Sequence, residues 1–143
     1  MAEFTSNPVQ TVQANQPVVL TTTIGCNKGY IYHRPESGIV TLRGIVRNSC
    51  AGFARYQVTF NGNIAVPTGG TAGAISLALA IDGEPIPTST AIVTPAAVEE
   101  YFNVTSTAII TVPAGCCFNV SVENVSDQAI NVQNANLTVS RIA

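Results

Sequence analysis

Ile75-Ser76-Leu77-Ala78-Leu79-Ala80-Ile81-Asp82-Gly83 is the stretch that decides the fold class. Ile75, Leu77, Leu79 and Ile81 recur at every second residue, the spacing at which an extended chain returns side chains to one face; a helix would need a period of 3.6. Between them Ser76, Ala78 and Ala80 are small, so another layer can approach that second face closely. Asp82-Gly83 then supplies a dipeptide suited to a two-residue hairpin turn. A strand that ends in a tight hairpin is a unit of antiparallel all-β folds.

The same period runs outward in both directions. Tyr56, Val58 and Phe60 alternate with Arg55, Gln57 and Thr59. Phe102, Val104, Ala108, Ile110 and Val112 are opposed by Asn103, Thr105, Thr107 and Thr111, and Phe118, Val120 and Val122 by Asn119, Ser121 and Glu123. In the last run the parity changes, from Ile130 and Val132 to Leu137 and Val139, which predicts a β-bulge near Asn134 to Asn136. Residues 17–23, 30–33 and 38–42 are further strand candidates rich in Val, Ile, Thr and Tyr. Turn residues separate these runs, as at Pro67 to Gly70, Pro85 with Pro87, and Pro113 to Gly115. Eight to ten short strands predict an antiparallel sandwich or barrel, with one turn of helix at Thr94 to Tyr101, where Pro95 suits a first helical position. Residues 1–8 read as a short N-terminal arm, because Asn7-Pro8 is a poor strand interior; residues 9–143 then form a single domain.

Composition narrows the function. The chain has 143 residues, one domain's length, with 46% hydrophobic but only 10% charged residues, so its surface is built from Thr, Ser, Asn and Gln. Charges of both signs are what normally keep soluble proteins apart, and their scarcity predicts self-assembly. A net charge of -2 excludes a general affinity for nucleic acid or anionic membranes. No basic-then-apolar start marks a signal peptide and no apolar run is long enough for a spanning helix, so the expectation is a chain assembled in the cytoplasm. The triplets headed by Asn103, Asn119, Asn124 and Asn136 match glycosylation sequons but are expected by composition alone.

Catalytic constellations are lacking. His33, the one histidine, stands in a proline-containing turn region without a nucleophile elbow, and Glu99-Glu100 are neighbours that do not share a face. Thr68 to Gly73 is glycine-rich but has no phosphate-loop lysine, and reads as a flexible loop. The reading is a non-enzyme without metal or cofactor. Cys26, Cys50, Cys116 and Cys117 contain no CxxC pair; buried thiols, a Cys26 to Cys50 bridge, or a link from either to the vicinal pair all remain open. Charge is segregated along the chain. Lys28, Arg34, Arg43, Arg47 and Arg55 against Glu36 give 5 − 1 = +4 over residues 28–55, while six unopposed acids, Asp82, Glu84, Glu99, Glu100, Glu123 and Asp127, give −6 over residues 82–127.

In their order these motifs resemble a known family. Residues 32–41, Tyr32-His33-Arg34-Pro35-Glu36-Ser37-Gly38-Ile39-Val40-Thr41, are similar to a hairpin of the tumour-necrosis-factor-like jelly rolls, which include complement-type globular heads, and Gly52 to Phe60 resembles their next strand. Ile75 to Pro87 is similar to a segment in the C-terminal heads of bacterial collagen-like spore-surface glycoproteins, and Asn136 to Ala143 to the closing strand. The resemblance implies a jelly roll of 8–10 strands that assembles as a homotrimer. It implies a structural role as a bacteriophage capsid decoration or head-fibre protein on the virion surface, held to the major capsid protein or another particle surface. The alternatives are a glycan- or receptor-binding head, with the loops at Tyr30 to Arg34 and Asp82 to Pro87 as its site, or a spore-surface protein. For the trimer interface the candidates are Tyr56, Phe60, Ala78, Ala80 and Tyr101; for capsid docking they are Lys28, Arg34, Arg43 and Arg47.

Overall fold

The computed structural model describes residues 1–25, 29–46 and 52–143, so Cys26, Lys28, Arg47 and Cys50 lie outside the described residues. Among the described residues, twelve strands form two antiparallel sheets packed face to face. In the first, β10 (Phe102–Pro113), β6 (Phe53–Ala65), β12 (Ile130–Arg141), β1 (Ala2–Ser6) and β3 (Thr22–Gly25) are neighbours in that order, and β2 (Gln10–Val12) pairs with the start of β12. In the second, β4 (Ile31–His33), β5 (Val40–Arg43), β11 (Cys117–Asn124), β7 (Ile75–Ile81) and β8 (Glu84–Pro85) follow one another, with β9 (Ala91–Val93) beside β7.

The alternation read in the sequence becomes the layering. Along β6, Ala54, Tyr56, Val58 and Phe60 are buried, while Phe53, Arg55 and Gln57 face out. Phe4, Phe60 and Leu137 of the first sheet and Leu42, Leu79 and Val122 of the second are almost wholly covered, each side chain contributing about 1.5–3 kcal/mol of apolar burial. At the expected bulge the pairing of β12 with β6 shifts register between Gln133 and Asn136, and Asn134 takes φ 57. The Asp82-Gly83 hairpin has φ 50 and 85, the positive pair its tight turn requires.

Three expectations are corrected. Residues 1–8 are no free arm: β1 lies between β12 and β3 with Ala2, Phe4 and Ser6 buried, and the strand ends just before Asn7-Pro8. Thr94 to Tyr101 forms no helical turn but a bend in which Glu99 takes φ 57. A 3-10 turn occurs instead at Pro87–Ser89, with proline opening it. Pro17 and Leu20 make only single bridges, to Glu123 and Ser37, so the third strand begins later than expected, at Thr22.

Two buried polar residues tie the sheets together. The Tyr56 hydroxyl donates to the Arg43 carbonyl at 2.5 Å across the sandwich, and burial pushes the phenol above its ordinary pKa. His33 on β4 sits 2.9 Å from the Thr23 hydroxyl of β3 and 2.8 Å from the Ser37 carbonyl, its ring 4.8 Å from that of Phe4.

Candidate interaction faces

The outward face of the first sheet is a ladder of amides and hydroxyls. Register places Thr138, Thr59 and Thr107 in one row across β12, β6 and β10, and Asn136, Asn61 and Thr105 in the next. The rows are stitched across strands: Thr59 and Thr107 hydroxyls stand 3.0 Å apart, Thr105 donates to Asn61 at 3.1 Å, and Asn103 donates to Asn63 at 3.2 Å. Such cross-strand pairs fix side-chain rotamers before any partner arrives. Of the strand residues pointing outward here, only Glu3 and Arg55 are charged. Glu3 accepts from the Asn136 amide, and the Arg55 guanidinium lies 4.6 Å from the Phe53 ring centre. Apolar side chains stand in the open on the same face, with Ile109 63% and Ile24 50% exposed.

On the second sheet the outward face is different. Ala78 and Ala80 are covered within the chain, and two adjoining cavities open beside them. One, about 160 Å³, is lined by Tyr32, Arg34, Ser37, Ile39 and Thr41. The other, about 350 Å³, is lined by Pro17, Ile39, Asp82, Gly83, Asn119, Ser121 and Glu123, so Ile39 belongs to both. Thr41 donates to the Asn119 side-chain oxygen at 2.8 Å, and the Asn119 backbone N–H donates to Asp82 at 3.0 Å. Burial, and then the neighbouring Glu84 carboxylate, raise the Glu123 pKa.

The residues expected at a trimer interface fall elsewhere. Tyr56, Phe60 and Ala80 are completely covered and Ala78 is 1% exposed within a single chain, so they have no surface to offer another copy; Tyr101 is half-buried. Parity separates the two faces of a strand without telling which is inside. Residues that sequence reading did not single out, Thr59, Asn61, Thr105, Thr107 and Ile109, occupy the open face; their signal was a strand face rich in Thr and Asn without charge. Of the expected docking cations, Arg34 and Arg43 are exposed. They do not form a pole opposite the acids: Arg34 lines one cavity while Asp82 and Glu123 line the next, and Arg55 is on the other sheet. Cys116 and Cys117 are exposed free thiols, so of the open alternatives neither burial of this pair nor a link to it holds; Cys116 lies in the turn and β11 begins at Cys117, while a Cys26 to Cys50 bridge falls outside the described residues.

His33 is engaged in the contact between sheets, where its ring nitrogens face Thr23 and Ser37. The glycine-rich loop is held in place: Gln128 accepts from the Thr71 N–H at 3.1 Å and donates to its carbonyl at 2.8 Å, and Glu99 accepts from the Thr68 N–H at 2.9 Å. Among the described residues no cluster of three His, Cys, Asp or Glu could hold a metal ion.

No protein-family model matches the chain, and no curated protein matches it by sequence. Solved structures do. The globular domain of a zebrafish complement 1qA protein superposes with a TM-score of 0.62 over 96% of this chain and 94% of its own, at 15% identity. The Eiger tumour necrosis factor of S. frugiperda gives 0.70 over 100% and 92%, at 11% identity. At such identities the likeness shows the fold: a tumour-necrosis-factor-like, complement-head-like jelly roll.

Proposed function

We propose, with that jelly roll as the premise, that the chain is a non-enzymatic structural head that closes into a homotrimer through the open face of its first sheet. The observation that carries this reading is the ladder itself: β12, β6 and β10 present Thr and Asn side chains paired to one another, Ile24 and Ile109 stand exposed on the same sheet face, and only Glu3 and Arg55 carry charge there. Depletion of charge marks the centre of protein interfaces. Polar groups already hydrogen-bonded to one another lose little on leaving water, because few donors or acceptors become unsatisfied. Trimerisation would bury this face and leave the cavities of the second sheet outward.

Following the sequence resemblance, the particle that carries the trimer is a phage capsid, with exposed Arg34 and Arg43 as docking cations. Size-exclusion chromatography with light scattering tests assembly first: a trimer is expected, and a stable monomer at micromolar concentration would sink the proposal. Purified capsids mixed with the trimer should then saturate at symmetry-related sites, visible by electron microscopy; a trimer that leaves them bare would remove the capsid from this reading while keeping the assembly.

A further inference from the structure

We propose that the cavity between the Asp82-Gly83 hairpin and Glu123 binds a saccharide unit carrying a free amine, such as a glucosamine ring. The inference goes beyond the assembly reading and uses the opposite sheet.

At about 350 Å³ the cavity is within the range of ligand pockets, at its small end, where one or two sugar rings fit. Pro17 and Ile39 give it apolar walls suited to the C–H faces of a pyranose. Asn119 is pre-oriented: its side-chain oxygen is taken by Thr41 at 2.8 Å, which leaves the amide N–H₂ to donate to ring hydroxyls. Ser121 adds a hydroxyl that donates or accepts.

The acidic side chains choose among sugars. Asp82 is fixed from both directions: its Oδ1 accepts from the Asn119 N–H at 3.0 Å, and its own N–H donates to the Asn119 carbonyl at 2.7 Å. Its second oxygen has no partner among the described residues. Glu123 lines the same cavity, partly desolvated and facing the charge of Glu84. No Lys or Arg lines the cavity. A neutral sugar would satisfy the hydroxyl partners but bring no charge to a cavity that holds two carboxylates and no cation, whereas an ammonium brings a charge-assisted donor to one of them.

The test is titration calorimetry of the full chain near pH 6 with three probes of one length: fully deacetylated chitotriose, its N-acetylated counterpart, and cellotriose. The deacetylated trimer should bind at least roughly tenfold more tightly than the other two, weakening as salt rises. Glu123→Gln and Asp82→Asn should each cost about tenfold or more in affinity. Should Asp82→Asn loosen the hairpin, read as a lowered melting temperature, Glu123→Gln decides alone. Equal binding of all three probes would make this a neutral-sugar site and overturn the proposal. So would no binding, or deacetylated binding that Glu123→Gln leaves untouched, which would place the polycation elsewhere. Elution volumes of the same samples report assembly separately, so a monomer that binds chitotriose would defeat the trimer and leave this site standing.

Discussion

The two sheets have the same period of apolar side chains inward, yet their outward faces differ. The first presents open rows of Thr and Asn paired to one another, with its apolar Ile24 and Ile109 in water. The second covers its small Ala78 and Ala80 within the chain and gathers charge around two cavities. A flat face whose polar groups are internally paired suits a broad partner of like kind. A concave face lined by carboxylates suits a small one. The faces of one sandwich can thus divide assembly from recognition.

The comparison requires first that the aromatic residues between the sheets are core and no part of any interface. Phe60→Ala should cost about 3–5 kcal/mol of chain stability in denaturant unfolding, since the covered ring would leave a cavity. A loss seen only in association, with the subunit equally stable, would put Phe60 back at an interface.

Next in size is a charge placed on the open face. Thr107→Lys, at the middle of β10, would bring like charges together around the proposed trimer axis, at a cost of several kcal/mol to association. Light scattering should then find monomers that still fold, with subunit stability lowered by only about 1–2 kcal/mol for the lost bonds to the Thr59 hydroxyl and the Val58 carbonyl, because Thr107 is exposed in the single chain. A variant that still assembles would show that the copies meet elsewhere. Smaller again, Tyr56→Phe removes the 2.5 Å bond to the Arg43 carbonyl and should cost about 1–3 kcal/mol by leaving that acceptor unpaired. A cost near zero would mean that water replaces the hydroxyl there.

What could be read from the sequence follows from physics. Strands β6, β7, β10 and β11 were legible because period-two burial is a local property, and so was the bulge, because a change of parity can be met only by one extra residue. β1 was hidden: Ala2, Phe4 and Ser6 alternate correctly, but a five-residue run with one large apolar side chain is a faint signal beside Asn7-Pro8. Tyr56, Phe60, Ala78 and Ala80 could not be told from surface residues because alternation gives two faces, and only the packing of the folded chain says which side chains are covered. The larger cavity was out of reach for another reason. Its residues come from positions 17, 39, 82, 83, 119, 121 and 123, which only the folded chain brings together; the Asp82 loop was singled out, whereas Glu123 read only as the wet side of a strand and one acid among six.

The smallest effect bears on what the second face is for. Burial and the Glu84 charge hold the Glu123 pKa above its ordinary value, so the folded chain binds that proton more tightly than the unfolded chain. The stability this confers is complete at acid pH, below the unfolded value, and is lost as pH rises through the folded one. At neutral pH Glu123→Gln should therefore raise stability, by no more than about 0.5 kcal/mol because water still reaches the carboxylate and screens it. Below pH 4 the variant and parent should unfold alike. A residue that weakens its own fold at working pH is not part of a scaffold in the way the Thr and Asn ladder is, and an ammonium ligand would turn the same strain into binding. If Glu123→Gln instead lowers stability at neutral pH, the carboxylate is a structural fastening, and the contrast between the two faces loses its sharpest point.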